Sequence, residues 1–233
     1  MTEPLLIASP RWKAHHSGSA AAVVTHTGLV ALPTTPALDQ IKRQTEHDLI
    51  ARFAEASRSQ LLQDPVLAAY EHYDRQFGQS FHVAMQVRSI AQKGKPIPDR
   101  NSLIEAMFLT EVSLGVLAAA QDLDQISLPI TIDHADGSET YTRYDGVIEA
   151  CKPGDQLMRD ATGAILTSIA QGPTNYGQVS QQTSSAAFCF YFVPGVPEEI
   201  RAETIAFLDR AILAACPAAE KLGEAHVLAS DHT

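Results

Sequence analysis

Apolar side chains return at helical spacing in three successive stretches of the first half of the chain. Val66, Tyr70, Tyr73 and Phe77 mark the first, which Asp64-Pro65 opens as cap and first helical residue and Gly78 closes. Val83, Val87 and Ile90 mark the second, with Ser80 as a candidate cap and Gly94 as the stop. Leu103, Ile104, Met107, Phe108 and Val112 mark the third, predicted over 102–114 between Asn101 and Gly115. Ser102 and Glu105 have the S-x-x-E spacing of a capping box, in which each side chain satisfies a backbone N–H of the first turn. An earlier, more charged helix is expected over about 39–57, with Ile41, Leu49, Ile50 and Phe53 inward and the other side in solvent.

Around these helices the pattern is strand-like. Residues 20–24 and 29–32 are short β-capable runs about Thr25-His26-Thr27-Gly28, which reads as a hairpin ended by Pro33 and Pro36. From Ile126 onward, strands are predicted at 128–132, 139–144, 147–150, 156–159 and 164–170, with Asp136-Gly137 as a hairpin turn. AAFCFYFV, 186–193, is the most strand-like segment, and Pro197 opens a last helix with Ile205, Leu208, Ile212 and Ala215 inward. Helices first and strands later predict one α+β domain, a short-stranded β-structure with flanking helices. Within it, 1–60 is expected to pack as an N-terminal unit on a main body at 61–216, and 217–233 to be a tail.

The 233 residues, 45% of them hydrophobic, suffice for one sizeable core. No apolar run approaches the ~20 residues that span a bilayer, and the N-terminus lacks the pattern of a signal peptide, so the chain reads as soluble and cytoplasmic. Cys151, Cys189 and Cys216 are odd in number and far apart, which suggests neither a disulfide framework nor a zinc site. The histidines are scattered, and no motif for a metal or other cofactor is present. A net charge of −10 argues against broad nucleic-acid affinity, but leaves room for a local basic patch that meets a few phosphates.

No nucleophile elbow, zinc-protease helix, Walker loop or dinucleotide fingerprint is present. Cys189, Tyr70, Tyr73 and Phe77 read as packed core. The loop 172–185 is the more open question. Gly172 and Gly177 permit close backbone approach, and Thr174, Asn175, Ser180, Thr183 and Ser184 offer hydroxyls and an amide, as a polar site or an ordinary polar loop both require.

The stretch 93–126 holds GKPIP, then Asn101 opening a helix with acidic Glu105, then LGVLAAAQDLDQI. With these features it resembles the editing (B3/B4) domain of the β subunit of bacterial phenylalanyl-tRNA synthetase, and more closely the free-standing synthetase-like proteins that carry only that domain. PGDQLMRDATGAIL, with Asp160 and Gly163, and VSQQTSS, with Val179 and Thr183, continue the likeness over roughly 65–195. The resemblance implies a pocket for an amino acid esterified to a tRNA 3′ end, hydrolysed by a positioned water with oxyanion donors and no cofactor. On that reading Gly172 and Thr183 are the expected catalytic positions, and Asn101, Glu105, Met107, Phe108 and Asn175 the expected substrate contacts. Lys93, Lys95 and Arg100 are expected to meet phosphates. Ala119 stands where the family has a histidine implicated in editing, and Cys189 falls about where a glutamate reads the tyrosine hydroxyl. A non-catalytic binder of an amino acid or small metabolite, or an RNA-binding module, is the alternative on the same fold.

Overall fold

The computed structural model describes residues 4–223 and 226–230. Its elements run β1 (Leu6–Ala8), α1 (Pro10–His15), β2 (Ala20–Thr27), α2 (Pro36–Phe53), α3 (Arg58–Leu61), α4 (Pro65–Arg75), α5 (His82–Lys93) and α6 (Ser102–Leu114). There follow β3 (Leu117–Asp122), β4 (Ile130–His134), β5 (Thr140–Thr142), β6 (Ile148–Ala150), β7 (Gln156–Arg159), β8 (Ile165–Ser168), β9 (Gly172–Pro173) and β10 (Ser185–Phe192). The last elements are α7 (Glu198–Ala215), β11 (Glu220–Lys221) and β12 (His226–Ala229). The fold is α+β.

β10 is the middle of the larger sheet. It pairs antiparallel with β2 on one side and β3 on the other, and every residue from Ala186 to Phe192 is buried. A strand covered on both faces reads as a continuous apolar run, which is why AAFCFYFV stands out. Its neighbours supply small residues, Ala20 to Ala22 from β2 and Ala118 to Ala120 from β3, so the bulky rings of β10 face space on either side. A second sheet, in the order β1-β4-β7-β8-β9, belongs to the same core through Ile130, Ile132, Met158 and Leu166. Tyr191 of β10 donates its hydroxyl to the carbonyl of Thr167 on β8 at 3.1 Å, and Trp12 donates to Gln156 at 2.7 Å. Both bonds tie buried polar groups across the layers, where an unpaired group is costly.

Several helix ends follow the sequence. Asp64 accepts from the amides of Val66 and Leu67, Gly94 and Gly115 stop their helices in the left-handed conformation, and Pro65 is the first residue of α4. Other details differ. α2 begins at Pro36 behind a Thr35 cap, because proline fits a first turn that has no N–H partner to lose. Ser80 does not cap α5; the carboxylate of Glu71 on α4 accepts from Phe81 N at 3.0 Å, and Ser80 accepts from Arg58. The capping box at Ser102 is not formed. Asn101 is the cap, accepting from Leu103 N at 3.0 Å, so Ser102 is the first helical residue, as the expected span 102–114 has it, and Glu105 stands one position beyond capping reach.

The strand pairings differ more. No hairpin forms at 20–32: β2 runs unbroken to Thr27 and pairs with β10, β11 and β12. Residues 220–221 and 226–229, expected in a tail, therefore close the outer side of the larger sheet. Asp136-Gly137 does turn the chain, with Glu139 accepting from both backbone amides, but it joins no hairpin. β4 pairs with β1 and β7, and β5 pairs instead with β6 through a tight turn at Asp145-Gly146.

Gly177 tests how tightly the loop 172–185 is held. Its φ is +68°, and a Cβ placed there lies 2.5 Å from Ile126 Cγ2. Gly146, with φ +86°, has no neighbour within 4 Å. Gly146→Ala is expected to cost roughly 1–2 kcal/mol for the left-handed backbone, and Gly177→Ala a further ~1–3 kcal/mol for the overpacking. Urea midpoints of the two variants check the order; equal losses would contradict the packing of this loop.

Candidate active site

β3 is an outer strand, and an outer strand leaves a row of backbone groups to be satisfied. Gly115, with φ +69°, turns the chain back so that α6 lies against that open edge. At one end the edge is closed, where Asp122 N donates to Gly177 O at 2.8 Å and Gln121 bridges Gln178. At the other end Ala118 N donates to the carboxyl of Glu111 at 2.9 Å. Strand alternation directs the N–H of Ala120 to the same edge as that of Ala118.

Between this edge, α6 and β8–β9 lies a cavity of about 450 Å³. Ile104, Met107 and Glu111 line it from α6, Leu117 to Ala120 from β3, and Thr167, Ser168, Gly172 and Pro173 from the smaller sheet. Gln178, Val179 and Tyr144 complete the wall, with His82 and Arg100 from the α5 side.

Glu111 is 5% exposed, and burial pushes its carboxyl up to about 8 against the opposing hydrogen bond from Ala118. At neutral pH it is mostly protonated and has an O–H to donate. Thr167 is buried, and among the described residues no group hydrogen-bonds its hydroxyl. Ser168 is held more firmly. It donates to Asp155 at 2.5 Å and accepts from Gln171 N at 3.2 Å. Asp155 also accepts from Tyr73 at 2.8 Å and from the amides of Gln156 and Ala170, and burial raises it to about 6. That network leaves Ser168 positioned but not poised as a nucleophile.

Of the residues expected from sequence, Gly172, Met107 and Arg100 meet at this cavity, and Ala119 lines it as well. Gly172 needs its left-handed φ of +84° rather than space, since a Cβ there meets nothing within 4 Å. Thr183 is elsewhere. It is buried, accepts from Ser180 N at 2.9 Å and donates to Asp122 at 2.7 Å, so its hydroxyl holds the loop. Asn101 is spent on the helix cap and on Ser180 O, at 3.1 Å. Glu105 is buried beside Lys42 at 3.3 Å and Thr34 at 3.3 Å, joining α6 to α2. Asn175 is exposed, with its amide on Thr142 O. Phe108 and Lys95 line a neighbouring hollow of about 370 Å³ that shares His82 and Arg100 with the cavity; Lys93 is exposed and lines neither.

Glu111, Thr167, Ser168 and Tyr144 escaped sequence reading. Glu111 carried one usable signal: it is a carboxylate in an apolar helical stretch with no basic residue three or four positions away on either side. The histidines are less scattered than their spacing suggests, since His16 and His134 meet at 3.0 Å with His15 stacked on His134. Among the described residues, however, no group of three or more histidine, cysteine or acidic side chains is arranged to hold a metal ion.

No protein-family model matches the chain, and no curated protein matches it. Among solved structures it is similar to an N-terminal fragment of the phenylalanyl-tRNA synthetase β-subunit from Pyrococcus horikoshii, with a TM-score of 0.51 and 11% identity. The fold is shared. The likeness covers 93% of this chain, and so extends beyond residues 65–195, and 49% of that structure. The chain thus spans about half the length of its neighbour. No helix among the described residues is long and apolar enough to cross a membrane.

The buried carboxyl makes stability depend on pH in a definite direction. Folded Glu111 keeps its proton to about pH 8, whereas the unfolded chain releases it near the ordinary value of 4.5. Its contribution is therefore fully present below about 4.5 and is lost as pH rises towards 8. Asp74, raised to about 7, and Asp155 act in the same sense, so the comparison must be between variants. Glu111→Gln is expected to flatten the decline and to be more stable than the parent at pH 8.5 by about 1–3 kcal/mol. Denaturant melts from pH 5 to 9 check this; parallel curves would mean that Glu111 is not held neutral.

Proposed function

We propose that this protein binds an amino acid esterified to the 3′ end of a tRNA and hydrolyses that ester, as a free-standing relative of the B3/B4 editing domain. The observation that carries the reading is the pairing, in one cavity, of a protonated Glu111 with the open N–H edge of β3. An ester is already activated, so little more is required than a water and donors for the oxyanion.

In this mechanism water adds to the ester carbonyl carbon. The developing oxyanion takes hydrogen bonds from Ala120 N–H and from the Thr167 hydroxyl. As the carbon–oxygen bond to the ribose breaks, Glu111 gives its proton to the leaving oxygen, and the proton lost by the attacking water restores it. The products are the free amino acid and the RNA hydroxyl. Arg100 and Lys95, exposed and without a carboxylate partner among the described residues, lie on the side where the RNA phosphates would enter. The alanines at 118–120 leave room for the amino-acid side chain.

A second reading has its own support. Thr183 is tied into the loop and Ser168 is tied to Asp155, so the cavity carries no prepared nucleophile. A binder of a free amino acid or small metabolite fits that economy, and stabilisation by amino acids without any RNA binding would favour it.

Deacylation of a panel of mischarged tRNAs tests the first reading. At least one substrate is expected to be hydrolysed faster than in buffer, with Glu111→Gln slower by roughly 10²-fold. The enzymatic excess over buffer is expected to fall above about pH 8, as Glu111 loses its proton. A rate equal to buffer for every member of the panel refutes hydrolysis.

A further inference from the structure

Among the described residues twelve large apolar side chains are exposed, and three of them cluster on one hairpin: Tyr144 at 64%, Val147 at 53% and Ile148 at 73%. The hairpin is β5–β6, a two-stranded ribbon separate from both sheets. Such a ribbon is marginal alone, and it is fastened beside its turn. Asn175 N donates to Thr142 O at 2.9 Å, and Arg143 bridges Thr174. The turn is closed by Arg143 N on Val147 O at 2.8 Å and Gly146 N on Arg143 O at 2.9 Å. A fixed turn thus presents Tyr144 to solvent at the edge of the candidate cavity.

Charge is distributed unevenly about this ring. Arg143, next to it, is neutralised by Asp145 at 3.0 Å and Glu149 at 3.2 Å. Lys93, Lys95 and Arg100 are exposed and engage no carboxylate among the described residues, in a chain whose net charge is −10. Arg100 lines the cavity together with Tyr144, and Lys95 continues into the adjoining hollow. An aromatic face beside a short track of free cations is the arrangement that holds single-stranded nucleic acid, with a base on the ring and phosphates on the cations. An apolar ligand without phosphates has no use for the cations, and a duplex offers no free base to the ring.

We infer that Tyr144 is the stacking platform for the terminal nucleobase of a single-stranded RNA 3′ end, with Arg100 and Lys95 on the phosphates behind it. This rests on the RNA-end reading above and adds to it the residue that recognises the last base. It places the terminal ribose, and whatever is esterified to it, at the cavity entrance.

The test is fluorescence anisotropy with two 5′-labelled RNAs, one ending in CCA and one identical except for an abasic terminal ribose. Tyr144→Ala is expected to weaken binding of the CCA-ended RNA by about 10- to 100-fold, and Tyr144→Phe to bind like the parent. The abasic RNA is expected to bind the parent protein as weakly as the intact RNA binds Tyr144→Ala, with no further loss when both changes are combined. Equal thermal midpoints show that the exposed substitution leaves the fold intact. If the CCA-ended RNA binds, weakens with Arg100→Gln, and is indifferent to Tyr144→Ala, the platform is wrong and the RNA reading stands. If the parent protein binds neither RNA at low salt, both are wrong.

Discussion

The open edge of β3 is the constraint on which the candidate site depends. β10 needs a small-residue strand beside its rings, and Ala118 to Ala120 meet that need, but they leave β3 outermost in its sheet. Backbone donors along an edge must be paired, hydrated or given to a ligand. Here one is taken by Glu111 and, further along, the loop at Gly177 takes another. The stretch between them borders a cavity because its side chains are methyl groups. Closing the edge with a further strand would remove both the donors and the space.

Glu111 carries a second consequence of that geometry. A carboxyl that caps a strand edge in a wet setting stays ionised. This one is buried and shares its cavity wall with Met107, Ile104 and Leu117; there the charged form loses its hydration, and its proton is retained. The polar network behind the cavity contrasts with it. Asp155 accepts from Tyr73, Ser168 and two backbone amides, which holds α4 to the smaller sheet and fixes β8 in place. One buried carboxyl is saturated with donors and structural; the other has a single donor and faces open volume. That difference, more than burial, separates scaffold from candidate chemistry.

How far the sequence was legible follows from the same physics. α4, α5, α6 and α7 could be read because their signals are local: a cap, a periodic face, a left-handed glycine. β10 could be read because burial on both faces leaves a continuous apolar run. β3 could not, since a run of alanines has little strand propensity and becomes a strand only because β10 lies beside it. The pairing of β2 with β10 and β12, in place of a local hairpin, likewise depends on residues far away in sequence. At the site, Gly172, Met107 and Arg100 were within reach of a motif likeness. Asn101, Glu105 and Thr183 came with the same motif and prove to hold the scaffold, as cap, ion pair and loop tie. A motif preserves what the fold needs as readily as what the reaction needs.

The charge pattern adds the last step. The chain is acidic, and among the described residues nine lysines and arginines are paired with carboxylates. Lys93 ends α5, Lys95 and Arg100 follow it on a proline-interrupted connector that cannot continue the helix, and all three side chains stay in solvent. General acidity repels nucleic acid at a distance and suppresses non-specific binding, so affinity must come from a few contacts at short range. A small cationic track leading to a cavity that contains one protonatable carboxyl is consistent with the proposed binding of an RNA end rather than an RNA helix. On that proposal the same acidity makes binding sensitive to each of the few cations on the track, because no broad basic surface stands in reserve.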